Sequence, residues 1–359
     1  RSKITKMNRI ISLIATILLA HNTFAAEFRT DRTWYLAGEQ MTVSVTDQDA
    51  LIAYAELCDT QGLAAGTTIS IHNHKGTGTI ELPANLHSGY YALSVYTRHS
   101  AQVSNQLVAI INPLHKSKDD DIEWLSSDSS WVEANGTAKM INKKGTDTRE
   151  TEGHIIRARI NNTYNGRTFN GEQIRPSLSI VGKQIHYFEG KMENDSTAVF
   201  YTYGIHGKQP LVLSAASLTG MSLPIEMISP FATLLPKELP HLVFHYKRSE
   251  VEERSLAMQR HQIAIAPAKR ELQLGDYSDE TAEDGVPMDY DPTVFGNQPD
   301  ITYNLDEYRQ FLTIKEVLIE YVQCVRSKKS NGVTQLFVRK EDDQYNNYWP
   351  ATVLIDGMP

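Results

Sequence analysis

Cysteine is scarce in this chain: its 359 residues include two, Cys58 and Cys324. There is no C-x-x-C pair, so neither a zinc knuckle nor a thioredoxin-like redox centre is supported. A bridge between the two would need Cα atoms within about 7 Å, whereas Cys58, set in an apolar segment, reads as a small buried hydrophobe. G-x-S-x-G, H-E-x-x-H and G-x-x-x-x-G-K-S/T are all missing, which sets aside nucleophile-elbow hydrolases, zinc-helix proteases and P-loop nucleotide binders. Basic residues are outnumbered, 35 Lys and Arg against 43 Asp and Glu, for a formal net charge of -8. Phosphate neutralisation needs the opposite balance, so nucleic acid is not an expected partner. Long hydrophobic runs are missing too: Ile10–Ala20 falls short of the ~20 residues of a membrane span, and no later segment could cross a bilayer as a helix.

That short run does carry a localisation signal. Lys3, Lys6 and Arg9 precede it, and Thr23-Phe24-Ala25-Ala26 supplies small residues suited to cleavage, the pattern of a secretory signal peptide over residues 1–26 with Met7 as its natural start. The expectation is an exported protein of the periplasm or outer membrane with no integral span in the mature chain. A retained anchor is the alternative reading of the same residues.

At about 100–200 residues per domain, the length points to two or three domains. From 27 to 112, MTVSVT, LIAYAELC, TTISIH, TGTIEL, YYALSVY and QLVAIIN recur between turns. In the first, Met41, Val43 and Val45 alternate with Thr42, Ser44 and Thr46. In YYALSVY, Tyr91, Leu93 and Val95 share one face, which predicts a sheet packed on one side. Short strands at this spacing predict an antiparallel β-sandwich. A second β-sandwich is predicted over 113–265 from HIIRARI, LSIVG, IHYFEG, TAVFYTY, LVLSAAS and LVFHY, after a polar stretch at 125–152 read as loop or irregular hairpins. Apolar periodicity then gives way to acidic residues among Gly and Pro, so 266–304 reads as a solvated linker. Within it, DYDP at 289–292 lacks the ligand spacing of a calcium loop.

In the last segment, 305–359, Thr313 and Glu316 form a capping box, and Leu312 is placed to staple onto Val317. Phe311, Ile314, Leu318, Tyr321 and Val325 make an apolar helical stripe, and VTQLFVRK and WPATVLID read as strands. The chain stops just after VLID, so this α/β unit is expected to be incomplete, either truncated or finished by a partner. The predicted fold class is therefore mainly β: tandem antiparallel β-sandwiches, a linker and a small, incomplete α/β plug-like unit.

The segments YLAGEQ (35–40), YAEL (54–57), GTGTIELP (76–83) and SGYYALSVYT (88–97) together resemble the macroglobulin-like domain of large exported Bacteroidetes proteins, relatives of the second macroglobulin domain of alpha-2-macroglobulins. The stretch from TIKEVLIEYV to VLIDGMP is similar to the plug domain of TonB-dependent outer-membrane receptors. The resemblance implies a non-enzymatic envelope protein acting as a binding or docking module linked to TonB-dependent uptake. Its expected partner is an envelope protein such as an outer-membrane transporter, with peripheral membrane association. The alternative is a macroglobulin-like guard that captures proteases or peptides, with 125–152 or the acidic linker as bait. Departures from both families are plain. Gly38-Glu39-Gln40 follows Ala37 where a thioester needs cysteine, and no barrel follows the plug-like end, so transport by this chain alone is not expected.

No catalytic residue, cofactor or metal is expected. His72 and His74, with His87 and His99 nearby in sequence, read as polar side chains at a strand end and not as a metal site. Ser249–Arg254 reads as a solvated charged face, and Asp195-Ser196-Thr197 is the kind of tripeptide that Bacteroidetes modify with O-glycans. The residues singled out are structural: Gly38, Glu39, Gly78, Leu82, Pro83, Gly89, Tyr91 and Tyr96 in the first sandwich, Tyr54 as a further anchor, and Asp356 and Gly357 in a plug-like turn.

Overall fold

The computed structural model describes residues 26–98, 100, 102–133, 138–139, 150–151, 153–180, 185–205, 209–273, 299–330, 332–339, 350–355 and 358. In chain order the strands are β1 (Glu27–Thr30), β2 (Trp34–Leu36), β3 (Gln40–Thr46), β4 (Ile52–Cys58), β5 (Leu63–Ser70), β6 (Lys75–Glu81), β7 (Gly89–Tyr96) and β8 (Ser104–Ile111). Next come β9 (Ile122–Ser126), β10 (Trp131–Val132), β11 (Ile155–Ile160), β12 (Thr163–Tyr164), β13 (Arg167–Thr168), β14 (Ile174–Ile180), β15 (His186–Glu189) and β16 (Lys191–Asn194). The remainder are β17 (Thr197–Tyr201), β18 (Leu211–Ser217), β19 (Ile225–Met227), β20 (Leu242–Tyr246), helix α1 (Arg248–Gln273), helix α2 (Ile314–Glu320), β21 (Val325–Ser330) and β22 (Val333–Val338). The fold is mainly β, with tandem sandwiches. Two compact units form: one draws on the described residues through Thr151 and from Phe231 through α1, the other on Gly153–Pro230 and Pro299 onward.

In the first unit, sheet β1-β3-β6 faces sheet β2-β8-β7-β4-β5. Met41, Val43 and Val45 turn inward from β3, as their alternation predicts, and meet Leu57, Tyr91, Leu93, Val95, Val108 and Ile110 in one core. β6 and β7 belong to different sheets, so the connection through Pro83 crosses the sandwich instead of closing a hairpin. The expectation that β7 packs on one side is corrected, because all eight of its residues are buried. Its second face is covered twice over. A third sheet, β10-β20-β9, brings Leu242 and Phe244 onto Tyr90, Leu36, Ala109 and Ile111, with Val251 of α1 beside them. At the other end, Leu234 and Phe231 cover Tyr54 and Tyr96.

That third sheet revises two further expectations. LVFHY, placed by sequence in the second sandwich, pairs as β20 in parallel with β9, Leu242 opposite Ile122 and Tyr246 opposite Ser126. The sandwich is also not wholly antiparallel, since β2 runs parallel to β8. The charged run Ser249–Arg254 is the start of α1, which continues to Gln273, into the segment read as linker. Val251 and Ser255 are buried there at 3% and 4% exposure.

In the second unit, sheet β16-β17-β11-β19 faces β15-β14-β18 across Ile156, Ala158, Phe169, Ile174, Leu178 and Phe200. The segments HIIRARI, LSIVG, IHYFEG, TAVFYTY and LVLSAAS all supply strands here. The same unit holds the described C-terminal residues. The predicted capping box is present: Glu316 N–H donates to Thr313 Oγ1 at 3.3 Å and Thr313 N–H donates to Glu316 Oε2 at 3.1 Å. The staple is not, because Leu312 is fully exposed. α2 spans seven residues, so the expected stripe breaks: Val325 already opens β21, which pairs with β22. Within WPATVLID the described residues form no strand, only an isolated bridge from Ile355 to Met358. Asp356 and Gly357 lie outside the described residues, as do residues 1–25, most of the predicted linker and His99.

Candidate functional site

An open cleft of about 580 Å³ lies in the second unit, between β16 and the segment Asn170–Arg175. Among the described residues β16 is an edge strand, with β17 as its ladder partner. Facing it is the 3-10 turn Gly171–Gln173, capped by Asn170, whose Oδ1 accepts from Gln173 N–H at 3.2 Å. The layers are tied at both ends: Gly190 N–H donates to the Pro176 carbonyl at 2.9 Å, and Gly171 N–H to Asp195 Oδ1 at 2.8 Å. The gap between these ties is the cleft. Met192 gives it a partly buried apolar side chain, Ile174 being buried in the core behind it, and Glu172, Arg175, Lys191 and Asp195 give it charge. Arg175 turns its Nη1 onto the carbonyls of Glu172 and Ile174. Asn194 Oδ1 is taken by Ser196 N–H and Oγ–H. Lys191 carries its ammonium 5.9 Å from the centre of the half-exposed Tyr201 ring.

The buried acids of the first unit serve construction. Glu56, fully buried in β4, accepts Leu234 N–H at 2.5 Å on Oε1, and Thr233 N–H and Tyr96 O–H at 3.0 Å each on Oε2. Ala232 N–H in turn donates to the Tyr96 oxygen at 2.7 Å. To reach Glu56, Thr233 adopts φ 55°, a left-handed conformation uncommon for a β-branched residue. Burial raises Glu56 above the ordinary carboxylate range, against the pull of these three donors. Burial likewise raises Tyr96 and Tyr54. Tyr54 O–H donates to Glu150 at 2.7 Å, and Arg98 pairs with Glu150 at 3.3 Å. Both acids are buried and act as acceptors within the fold.

Glu39 is a comparable hub. It accepts Leu36 N–H at 2.8 Å and both Nε–H and Nη2–H of Arg254 at 2.6 Å, while the Arg254 guanidinium sits 4.0 Å from the centre of the Trp34 ring. Gly38 beside it turns the chain at φ 90°, and Leu82 N–H donates to the Glu39 carbonyl at 2.9 Å. Pro83 follows β6, its carbonyl accepting from Leu86 N–H. Gly78 lies where a Cβ would stand 2.6 Å from Ile69 Cγ1. Gly89 opens β7 opposite Ile110. Tyr91 O–H donates to the His87 carbonyl at 3.1 Å, and Tyr96 serves Glu56. These residues are distributed through the first unit. Sequence reasoning carried Glu56 only within the YAEL motif and Arg254 only at the end of a run read as solvated, and gave no binding role to any cleft residue. A carboxylate inside the apolar run AYAELC was the available signal for Glu56, since a charge there must be paired.

Cys58 and Cys324 are free thiols, the former pushed up to about 12 by burial. His72, Asn73 and His74 form the turn between β5 and β6, with Asn73 and His74 at positive φ and His74 Nδ1 3.0 Å from the Gln48 carbonyl. Among the described residues no group of three His, Cys, Asp or Glu is placed to hold a metal, and no helix is long and apolar enough to cross a membrane. Asp195 and Ser196 make the turn between β16 and β17, and Thr197 opens β17.

No protein-family model matches the chain, nor does any curated protein sequence. Among solved structures it is similar to Escherichia coli alpha-2-macroglobulin activated by porcine elastase, at 13% identity and a TM-score of 0.23, covering 58% of this chain and 20% of that one. It is similar to a Salmonella alpha-2-macroglobulin mutant at 11% identity and a TM-score of 0.21, covering 60% and 15%. It is also similar to DIP-gamma IG1+IG2 at 12% identity and a TM-score of 0.17, covering 63% and 100%. The chain thus spans a fifth or less of the two macroglobulins.

Proposed function

We propose that this chain is an exported, non-enzymatic binding module of the bacterial cell envelope that docks a protein partner, an outer-membrane transporter being the class its plug-like C-terminal segment suggests. The observation that carries the reading is the open, charge-lined cleft between β16 and the Gly171–Gln173 turn, a surface concavity of the kind that takes a partner. The acids that could have served catalysis are spent as buried acceptors, which favours binding over turnover. Export rests on the signal-like residues 1–26. Ala26 has a buried side chain and a carbonyl that accepts Ser104 Oγ–H at 2.6 Å, so cleavage after Ala25 preserves the sandwich and cleavage after Ala26 removes part of it.

The test is expression in a bacterial envelope with the leader intact, followed by fractionation, mass determination of the mature N-terminus and cross-linking in intact cells. The reading expects processing, envelope location and a discrete cross-linked partner. Retention in the cytosol, or turnover of a small compound abolished by one side-chain change, would overturn it. Limited proteolysis separates docking from the guard-protein reading: release of clean fragments fits docking, whereas stoichiometric retention of the protease fits capture.

A further inference from the structure

Resting on the docking reading, we infer that the outer face of sheet β10-β20-β9, in the first unit, docks a basic segment of the protein partner, with an arginine over Val243 between Glu123 and Glu133 and an apolar side chain on Leu125 and Trp131. The strand register assembles this face from three separate stretches of sequence. β9 runs parallel to β20 and β10 antiparallel to it, so Leu125 and Trp131 stand opposite His245 on its two sides. One row along, Glu123 stands opposite Val243, and Glu133 N–H continues the ladder by donating to the Val243 carbonyl at 3.0 Å. Side chains alternate along a strand. Leu242, Phe244, Ile122, Trp124 and Val132 pack onto the core of this unit, so the residues between them belong to the opposite face of the sheet.

Three observations converge on a cationic segment. First, large apolar side chains are exposed in one row: Trp131 is 42% exposed and Leu125 37%. Trp131 lies flat on His245 between them, ring centroids 3.8 Å apart and planes 7° from parallel. An accessible tryptophan set in a fixed orientation is the kind of side chain that anchors protein interfaces. Secondly, the platform is tied in place. Ser127 N–H donates to the Tyr246 carbonyl at 3.2 Å, Lys247 N–H to Ser130 Oγ at 3.1 Å and Ser130 N–H to Glu250 Oε2 at 3.3 Å, so a partner has little to order on binding. Thirdly, Glu123 and Glu133 are exposed and have no cation paired with them among the described residues, whereas Asp121 in the next row is already matched by His241. The two glutamates flank Val243 from either side of β20, about 10 Å apart at two strand spacings. A planar guanidinium between them can donate to both, which an ammonium does less well. The Val243 and His245 rows lie two residues apart, about 7 Å, and an extended peptide turns residues i and i+2 to one side at the same spacing. Lys247, just past β20, marks the far margin of the face, beyond the apolar row.

The experiment uses the full chain and the fluorescein-labelled, C-amidated probe Ser-Arg-Thr-Leu-Ser, with anisotropy as the readout. Saturable binding that weakens with salt is expected. The charge-reversed probe Ser-Glu-Thr-Leu-Ser should bind at least about tenfold more weakly. Glu123→Gln with Glu133→Gln should weaken the arginine probe about tenfold, Trp131→Ala by a similar factor, and Glu123→Arg with Glu133→Arg should invert the preference between the two probes. The thermal midpoint of the glutamate variants, unchanged because both positions are exposed, checks that the fold is intact. Failure of the arginine probe to bind, equal binding of the glutamate probe, or binding indifferent to the paired Gln substitutions overturns the proposal. Displacement of the probe by neutral maltohexaose, or self-association in sedimentation that Trp131→Ala abolishes, would give the face to a sugar or to a second copy and overturns it as well. If a partner cross-links in cells and the paired Gln substitutions leave that product unchanged, this proposal fails while the docking reading stands. Absence of any cross-linked partner fails the docking reading itself.

Discussion

Replacing Glu56 by Gln tests the account of how the second face of the large sheet is closed. The carboxylate serves Leu234 N–H on one oxygen and Thr233 N–H with Tyr96 O–H on the other, in a fully buried position. An amide of the same shape keeps one oxygen and sets its own N–H groups against a donor. At least one buried donor therefore loses its acceptor, a cost of about 1–3 kcal/mol. For a domain of this size that corresponds to about 2–10 °C in the midpoint. Tryptophan fluorescence in a guanidinium titration is a suitable assay, because Trp34, Trp124 and Trp131, three of the four tryptophans, lie in the described part of this unit. The pH dependence gives a second check. Burial raises Glu56 in the folded state, so its contribution is fully present below the unfolded value of 4.5 and fades as pH rises through the folded value. Gln does not titrate, so the stability gap between wild type and variant should narrow from pH 4 upward. A variant as stable as wild type, or a gap that widens with pH, refutes the assignment of Glu56 as the buried anchor of residues 232–234.

Arg254→Ala should cost about 1–2 kcal/mol through the lost bidentate pair with Glu39 and the stacking on Trp34, discounted because the arginine is partly exposed. Lys at this position should recover less than half, since an ammonium cannot make the fork, and guanidinium midpoints compare the three. At pH 8, a thiol reagent should titrate one cysteine quickly in the native chain and two in denaturant. Cys58 is buried and raised to about 12, whereas Cys324 is partly exposed. Gly78→Val should destabilise by about 1–3 kcal/mol through overpacking on Ile69, while Gly62→Ala, with open space at its Cβ, should change thermal stability little.

The strands were largely legible because alternation and turn residues are local. Met41, Val43 and Val45 reported the inward face of β3 without reference to any other part of the chain. What failed was long-range. β20 finds β9 across more than a hundred intervening residues, and nothing in LVFHY distinguishes that partner from a nearer strand. α1 was hidden because its apolar residues form no sustained stripe at helical spacing and because Pro267, which ordinarily kinks or ends a helix, lies inside it. The capping box of α2 was correct since two residues define it, but the stripe beyond it was not, since a periodic pattern does not tell a helix of seven residues from one of twelve. The cleft had no sequence signature because it is a gap between layers, bounded by ties from Gly190 and Gly171 to residues the chain places elsewhere.

The contrast between the two units carries a last prediction. β7 is flanked on both sides by β8 and β4, and both its faces are buried, so its amides can exchange with solvent only when the unit opens as a whole. β16 has four residues, one ladder partner among the described residues, a register shift between Met192 and Asn194, and exposed residues at its last two positions. Its amides therefore exchange through local fraying that leaves the core of the second unit intact, and at neutral pH they should lose protection orders of magnitude sooner than those of β7. Hydrogen exchange read by mass spectrometry resolves the two segments as separate peptides. Protection of β16 equal to that of β7 in the free chain would refute this contrast, because a short, exposed edge strand with one ladder partner has no means of matching a strand buried on both faces.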